Sequence, residues 1–182
     1  MKSKILMMIV TVVAMASMAA CSPTRTTRSA GETLDDATVT AKVKTALARD
    51  PSTSAYRIEV ESYRGEVQLN GFVESADMKS AATRVAKSVD GVKTVANNLE
   101  VSKGDRTAGQ VVDDGVITAK VKAALIEDPN VAAHDVNVQT REGVVQLAGF
   151  VDSSTQKSKA SEAARRVAGV KQVDNQLEVK QR

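Results

Sequence analysis

The chain contains the stretch Gly65-Glu66-Val67-Gln68-Leu69-Asn70-Gly71-Phe72-Val73 and, 78 positions later, its near copy Gly143-Val144-Val145-Gln146-Leu147-Ala148-Gly149-Phe150-Val151. The same offset relates residues 39–47 to residues 117–125 without a gap. Self-similarity at a fixed spacing indicates tandem copies of one structural unit. The sequence therefore predicts two copies of one small domain, at residues 35–102 and 113–182.

Within each copy the residue pattern predicts helix, strand, strand, helix, strand. Apolar residues recur at helical spacing in residues 39–47 and 117–125, after the aspartate pairs 35–36 and 113–114, which are typical of helix N-caps. Two alternating strands follow around a glycine turn, then a second helix that ends at a glycine, and a last alternating strand. Because a domain of this size buries only a modest core, we expect the two copies to pack together.

These stretches resemble a known family. The Gly-x-Val-x-Leu-x-Gly-x-Val pattern in residues 65–73 and 143–151, with Val-Asp-Gly-Val at 89–92 and Val-Ala-Gly-Val at 167–170, is similar to the BON domain of bacterial envelope proteins. The resemblance implies an α+β fold of two tandem αββαβ domains, each a three-stranded mixed sheet with two helices on one face. It also implies a periplasm-facing role in envelope integrity through phospholipid binding, with no catalytic residues.

The first twenty residues have the features of a secretory signal peptide. Lys2 and Lys4 precede an apolar run over residues 5–16, and small residues lead to Cys21, the single cysteine of the chain. Met18-Ala19-Ala20-Cys21 resembles the lipobox of bacterial lipoproteins, although leucine is usual where Met18 stands. The resemblance implies that Cys21 is the lipid attachment site and, because Ser22 follows it, that the protein is anchored to the outer membrane. Residues 21–34 are predicted to form a flexible tether.

The charge balance of the two copies argues against nucleic acid as a partner. The formal charge of the whole chain is only +3. Residues 35–102 contain nine basic and ten acidic side chains, and residues 113–182 contain ten of each. Nucleic-acid binding requires a concentrated basic footprint.

The polar residues 103–112 between the copies are interpreted as a linker.

The sequence provides little for catalysis, metal binding or a cofactor. His134 is the only histidine, and Tyr56 occupies its place in the first copy, so we interpret it as a solvated side chain. The aspartate pairs lack the alternating oxygen ligands of a calcium loop. Asn97 and Asn175 share the parity of core residues in the last strand of each copy, and we expect them to be hydrogen-bonded structural polar residues. No catalytic residue, metal site or cofactor is therefore predicted.

The copies differ on the outer face of their first helix. At 100° per residue, the side of the second copy's helix opposite its core stripe is apolar and has a lysine on each flank. The candidate phospholipid-contact residues are Val116, Ala119, Lys120, Lys122, Ala123 and Ile126. The apolar positions correspond in the first copy to Thr38, Ala41, Thr45 and Ala48. An apolar strip with basic flanks suits an anionic membrane surface. Packing against the other copy, or simple tolerance of single exposed apolar residues, would also explain such a strip.

Two functions follow as hypotheses. The first is a non-catalytic, lipid-anchored envelope protein that binds anionic phospholipid and supports membrane integrity or stress resistance. The second is a protein-interaction or chaperone-like module that binds envelope proteins and uses lipid only as an anchor. Both place the protein in the periplasm, attached to the outer membrane through acylated Cys21.

Overall fold

The computed structural model describes residues 30–53, 58–102, 104 and 106–181, with only the backbone of residues 30–34. Its elements repeat in the predicted order. The first copy contains α1 (Ala30–Arg49), β1 (Ile58–Tyr63), β2 (Glu66–Val73), α2 (Ala76–Lys87) and β3 (Thr94–Val101). The second contains α3 (Ala108–Glu127), a 3₁₀ turn (Ala133–Asp135), β4 (Asn137–Arg141), β5 (Val144–Val151), α4 (Ser154–Arg165) and β6 (Gln172–Val179). Among these residues, no helix combines the length and apolar character that a bilayer-spanning segment needs.

Each copy forms a three-stranded mixed sheet, which confirms the predicted fold class. β1 pairs with β2 antiparallel, and β2 pairs with β3 parallel; β4, β5 and β6 repeat this order. The hairpin turns have positive φ at both central residues, 53° and 83° at Arg64-Gly65 and 55° and 81° at Glu142-Gly143. Such turns match the right-handed twist of the strands they join. α2 and α4 provide the crossovers that parallel pairing requires.

The predicted apolar stripes form the two cores. Val43 and Leu47 of α1 pack on one face of the first sheet, and Val121 and Leu125 of α3 do the same in the second copy. The asparagine prediction is also confirmed: Asn97 Nδ2 donates to the Lys79 carbonyl at 2.7 Å, and its Oδ1 accepts from Leu99 N at 3.1 Å. The first of these bonds ties the edge strand β3 to α2, because an asparagine on the helix-covered face must find backbone partners there.

The helix starts predicted from the aspartate pairs are wrong. α1 begins at Ala30 and α3 at Ala108, each five residues before the predicted domain start and inside the predicted tether and linker. The true N-cap of α3 is Thr107, whose side chain accepts from Gln110 N at 3.2 Å while Gln110 Oε1 accepts from Thr107 N at 2.8 Å. This reciprocal capping box satisfies two amides that a helix start leaves unpaired.

The second aspartate of each pair instead holds the hairpin turn. Asp114 is buried, and its carboxylate accepts from Glu142 N at 2.9 Å, Gly143 N at 3.0 Å and Arg106 Nη1 at 3.2 Å. In the first copy, Asp36 Oδ1 accepts from Gly65 N at 3.2 Å. The carboxylate therefore accepts hydrogen bonds from turn amides that point away from the strand pairing of the sheet.

We expect Asp114→Ala to destabilise the second copy by about 2–4 kcal/mol, because two turn amides and Arg106 lose their charged acceptor. Urea unfolding followed by circular dichroism measures this loss. The exposed neighbour Asp113 provides the matched control, and Asp113→Ala is expected to change stability by less than about 0.5 kcal/mol. Similar losses from both substitutions would contradict the turn-holding role of Asp114.

The two sheets pack face to face, which confirms that the copies pack together. Gln68 Oε1 accepts from Gly149 N at 3.0 Å, and the equivalent Gln146 Oε1 accepts from Gly71 N at 2.6 Å. The side-chain amides continue the exchange, since Gln68 Nε2 donates to the Gln176 carbonyl at 3.3 Å and Gln146 Nε2 to the Asn98 carbonyl at 2.8 Å. We call this sheet-to-sheet interface, centred on Gln68 and Gln146, the seam.

The seam makes the molecule a four-layer stack of helices, sheet, sheet and helices. Both glutamines are almost completely inaccessible to solvent, at 0% and 1% exposure. Tyr63 of β1 stacks on Phe150 of β5 with ring centroids 5.5 Å apart. Because each central strand is covered by helices on one face and by the partner sheet on the other, nearly all of its residues are buried.

Candidate functional site

The structure places all six candidate phospholipid-contact residues of α3 at the surface. Val116 is 47% exposed and Ile126 is 73% exposed, and Ala119, Lys120, Lys122 and Ala123 are exposed between them. Packing of α3 against the first copy would have buried these residues. The seam involves the opposite side of the second copy, so the interpretation of the strip as an interdomain contact is wrong.

The strip is longer than the sequence prediction made it. Because α3 begins at Ala108, Val112 lies one helical turn before Val116 and is 64% exposed. Its neighbour Val111 is also exposed, at 47%. The Thr107-x-x-Gln110 capping box was the sequence signal that could have extended the helix and revealed these residues. We call the full set the outer strip, which consists of Val112, Val116, Ala119, Ala123 and Ile126. It is about 21 Å long at 1.5 Å per residue.

The lysines beside the outer strip are unpaired, whereas an equivalent lysine in the first copy is not. Lys44 of α1 forms an ion pair with Glu59 at 3.1 Å. Its counterpart is Lys122, and Asn137 replaces the glutamate. Within the described ranges, neither Lys120 nor Lys122 lies within ion-pair distance of a carboxylate. Both ammonium groups are therefore available to an external anion.

The electrostatic field at this face is moderate. Asp113 and Glu127 lie on the same side of the outer strip as Lys120, and both are exposed. Their negative charge offsets part of the lysine charge at this face. This face is therefore distinguished more by the exposed apolar surface of the outer strip than by a net positive charge.

A groove lies at one end of the outer strip. It has a volume of about 430 Å³ and is lined by Val116, Lys120, Glu142 and Lys171, among others. An equivalent groove of about 650 Å³ occurs in the first copy beside Thr38, Lys42, Arg64 and Lys93. The recurrence follows from the repeated geometry of helix, hairpin turn and glycine, so the groove itself does not distinguish the copies.

The remaining candidates of the sequence are dispersed. His134 lies on the 3₁₀ turn with its side chain 83% exposed and its Nε2 3.5 Å from Asp135 Oδ1. In the part of the chain that the structure describes, no three His, Cys, Asp or Glu side chains converge as metal ligands would. Cys21, the predicted lipid attachment site, lies outside the described residues.

Sequence comparison decides the family. Residues 35–103 and 113–181 each match the family described as BON domain. The chain belongs to the BON-domain family. α1 and α3 each begin five residues before the matched BON region, so the capped first turn of α3, Val111 and Val112 all lie outside the second match.

Several relatives are similar to the chain over most of their length. The chain is 40% identical to osmotically-inducible protein Y of Escherichia coli K12 over 82% of this chain and 75% of that protein. It is 39% identical to the outer membrane lipoprotein DolP of Haemophilus influenzae, over 80% and 75% respectively. A 21 kDa hemolysin of Actinobacillus pleuropneumoniae is 34% identical over the same shares, 80% and 75%.

Proposed function

We propose that this chain is a non-catalytic envelope lipoprotein that is anchored through Cys21 and contacts anionic phospholipid with the outer strip of its second BON domain. The observation on which this rests is the exposed outer strip beside two unpaired lysines. At the places equivalent to Val116, Ala119, Ala123 and Ile126, the first domain presents Thr38, Ala41, Thr45 and Ala48. The second domain is thus the membrane-contacting one.

The relatives support the proposed location at the outer membrane. One of them is an outer membrane lipoprotein, and the chain spans three quarters of it. The signal peptide over residues 1–20 and the lipobox-like stretch ending at Cys21 fit the same destination. The protein would then face the periplasm from the outer membrane and support the integrity or stress resistance of the envelope.

The energetics identify Ile126 as the most informative residue. Complete burial of its side chain in a bilayer interface would contribute about 1.5–3 kcal/mol, and the valines of the outer strip would contribute somewhat less. Each lysine would add about 1 kcal/mol near an anionic surface, and salt would screen that part. The alanines of the outer strip bury little area, so their role is to allow α3 to approach the lipid surface closely.

We expect Ile126→Asp to weaken binding to vesicles of anionic phospholipid by about tenfold or more, because an apolar anchor is lost and a negative charge faces the lipid. Co-sedimentation of the unacylated mature chain with vesicles measures the effect. Ala48→Asp, at the equivalent position of the first domain, is the matched control and is expected to leave binding nearly unchanged. Both side chains are exposed, so both variants are expected to keep native circular dichroism.

Vesicle composition separates the two hypotheses. A phospholipid-binding protein is expected to sediment with anionic vesicles and to remain in solution with zwitterionic ones. A protein-interaction module would remain in the supernatant in both cases. Equal losses from Ile126→Asp and Ala48→Asp would remove the reason for assigning the contact to the second domain.

A further inference from the structure

The outer strip also has the spacing of an interface between two helices. Its five residues, Val112, Val116, Ala119, Ala123 and Ile126, follow one another at intervals of four, three, four and three positions. A strip that contains only these positions is the narrow seam of a coiled coil, in which apolar residues recur every 3.5 positions and pack against those of a second helix. All five residues are exposed, because the core of the second domain uses the opposite side of α3.

Two charged residues beside the outer strip would match each other across such an interface. In a parallel pair of helices, the residue just before one apolar position meets the residue just after the next apolar position of the partner, and opposite charges there set the orientation. Lys122 directly precedes Ala123, and Glu127 directly follows Ile126. Both charged side chains are exposed, and neither has an ion-pair partner within the described ranges.

The other charges on these flanks favour the same orientation. Asp113 and Lys120 lie on the same flank as Glu127, and in a parallel pair they would face the small residues Ala108 and Gly115. An antiparallel pair aligned over the whole strip would instead bring Lys120 next to Lys120 of the other copy and Asp113 next to Glu127. Like charges repel each other at such distances. Charge complementarity therefore selects the parallel arrangement.

We propose that, in the absence of lipid, a second copy of this chain covers the outer strip through a parallel, in-register pairing of the two α3 helices. Lys122 of each copy then pairs with Glu127 of the other, so the interface contains two equivalent ion pairs. Both copies use the same surface, and such a self-complementary contact closes at a dimer instead of growing into a filament.

The first domain lacks the charge pattern of this interface. Arg49 stands at the place of Glu127, so the charge that would pair with the lysine is reversed. Lys44, the counterpart of Lys122, is already paired with Glu59 of its own domain at 3.1 Å. The equivalent face of α1 is also more polar, as described above. The inferred pairing is therefore specific to the second domain.

The size of the contact makes the dimer weak. The outer strip is about 21 Å long and a helix face is roughly 10 Å wide, so each copy contributes on the order of 200 Å². A stable interface buries about 800 Å² on each partner. The pairing is therefore reversible, and lipid that binds the same strip would displace it. This competition, unlike the pairing itself, rests on the proposed function.

Disulfide trapping tests the pairing at both ends of the outer strip. In the unacylated mature chain with Cys21→Ser and without lipid, Val112→Cys and Ile126→Cys each place a thiol opposite its own copy only in the parallel, in-register pair. We expect both to form linked dimers at least about tenfold faster than Ala48→Cys, the equivalent site of the first domain, because pairing raises the effective thiol concentration. Rates equal to that of Ala48→Cys would overturn the proposal. Dimers that form only when the Val112→Cys and Ile126→Cys chains are mixed would indicate an antiparallel pair and overturn it as well.

Charge reversal tests the ion pairs. In the chain carrying Ile126→Cys, Lys122→Glu and Glu127→Lys are each expected to slow trapping by about three- to tenfold, because like charges then face each other at two places. The double variant Lys122→Glu/Glu127→Lys exchanges the two charges and is expected to restore the original rate. A double variant that traps as slowly as the single ones would contradict the assigned contact.

Vesicles of anionic phospholipid separate this inference from the proposed function. If lipid and the second copy use the same strip, the vesicles are expected to slow trapping of Ile126→Cys several-fold. Vesicle binding by a chain that shows no trapping in solution would overturn the pairing alone. Trapping by a chain that does not bind the vesicles would support the pairing and overturn the proposed function.

Discussion

Replacing Gln68 and Gln146 together with methionine is expected to uncouple the two BON domains, with a loss of about 4–12 kcal/mol. Methionine keeps the volume of glutamine but can neither accept from Gly71 and Gly149 nor donate to the carbonyls opposite. Four backbone groups would then remain unsatisfied in a dry interface, at about 1–3 kcal/mol each. Denaturant unfolding is expected to change from one transition to two, and the hydrogen-exchange protection of both glycine amides is expected to disappear.

The same experiment has a close control. Gln139 lies on the neighbouring strand β4, opposite Gln146 in the strand register, and is half-buried. No hydrogen bond of its side chain occurs among the described residues, so Gln139→Met is expected to cost less than about 1 kcal/mol and to preserve a single transition. A double variant that unfolds as cooperatively as the parent would show that the glutamine exchange does not hold the domains together.

Cys21→Ser is expected to abolish stable attachment to the outer membrane. Acyl chains contribute about 0.8 kcal/mol for each buried CH₂, so the anchor far exceeds the few kcal/mol that the outer strip could supply. Fractionation of cells is expected to find the variant soluble in the periplasm, or retained as an unprocessed precursor. High-salt washing serves as the control, because it removes electrostatic but not acyl attachment. Persistence of the variant in the outer membrane fraction after such washing would disprove the anchor.

Much of the fold could be predicted because it is encoded locally. Short-range signals include the glycine at each hairpin turn and the apolar spacing of Val43 and Leu47. Because these signals recur at a fixed offset, the elements assigned in one copy supported those assigned in the other. The helix starts were missed because the aspartate pairs fit an N-cap by composition. Asp36 and Asp114 proved instead to be acceptors for a turn that is 29 residues away in sequence.

The seam could not be predicted in detail from the sequence. Gln68 and Asn70 alternate with core residues, and this is the same pattern that a solvent-facing side of a sheet produces. Only the approach of the second sheet decides that both residues are buried and that Gln68 is hydrogen-bonded across the interface. The exposure of Ile126 was predictable from helical geometry alone. Val112 was not, because its assignment depended on the helix start that was misplaced.

The four-layer stack limits how the tandem repeat can be used at a membrane. Because the two sheets are joined back to back, the helices of the two domains are displayed in opposite directions. A flat bilayer that touches α3 therefore cannot touch α1 of the same molecule, and duplication of the domain provides no bivalent avidity on one surface. If the second domain lies on lipid, the helices of the first domain point away from that lipid surface. Under the proposed function, the duplicated chain would therefore be a two-sided adaptor, with α3 facing the membrane and α1 facing the periplasm.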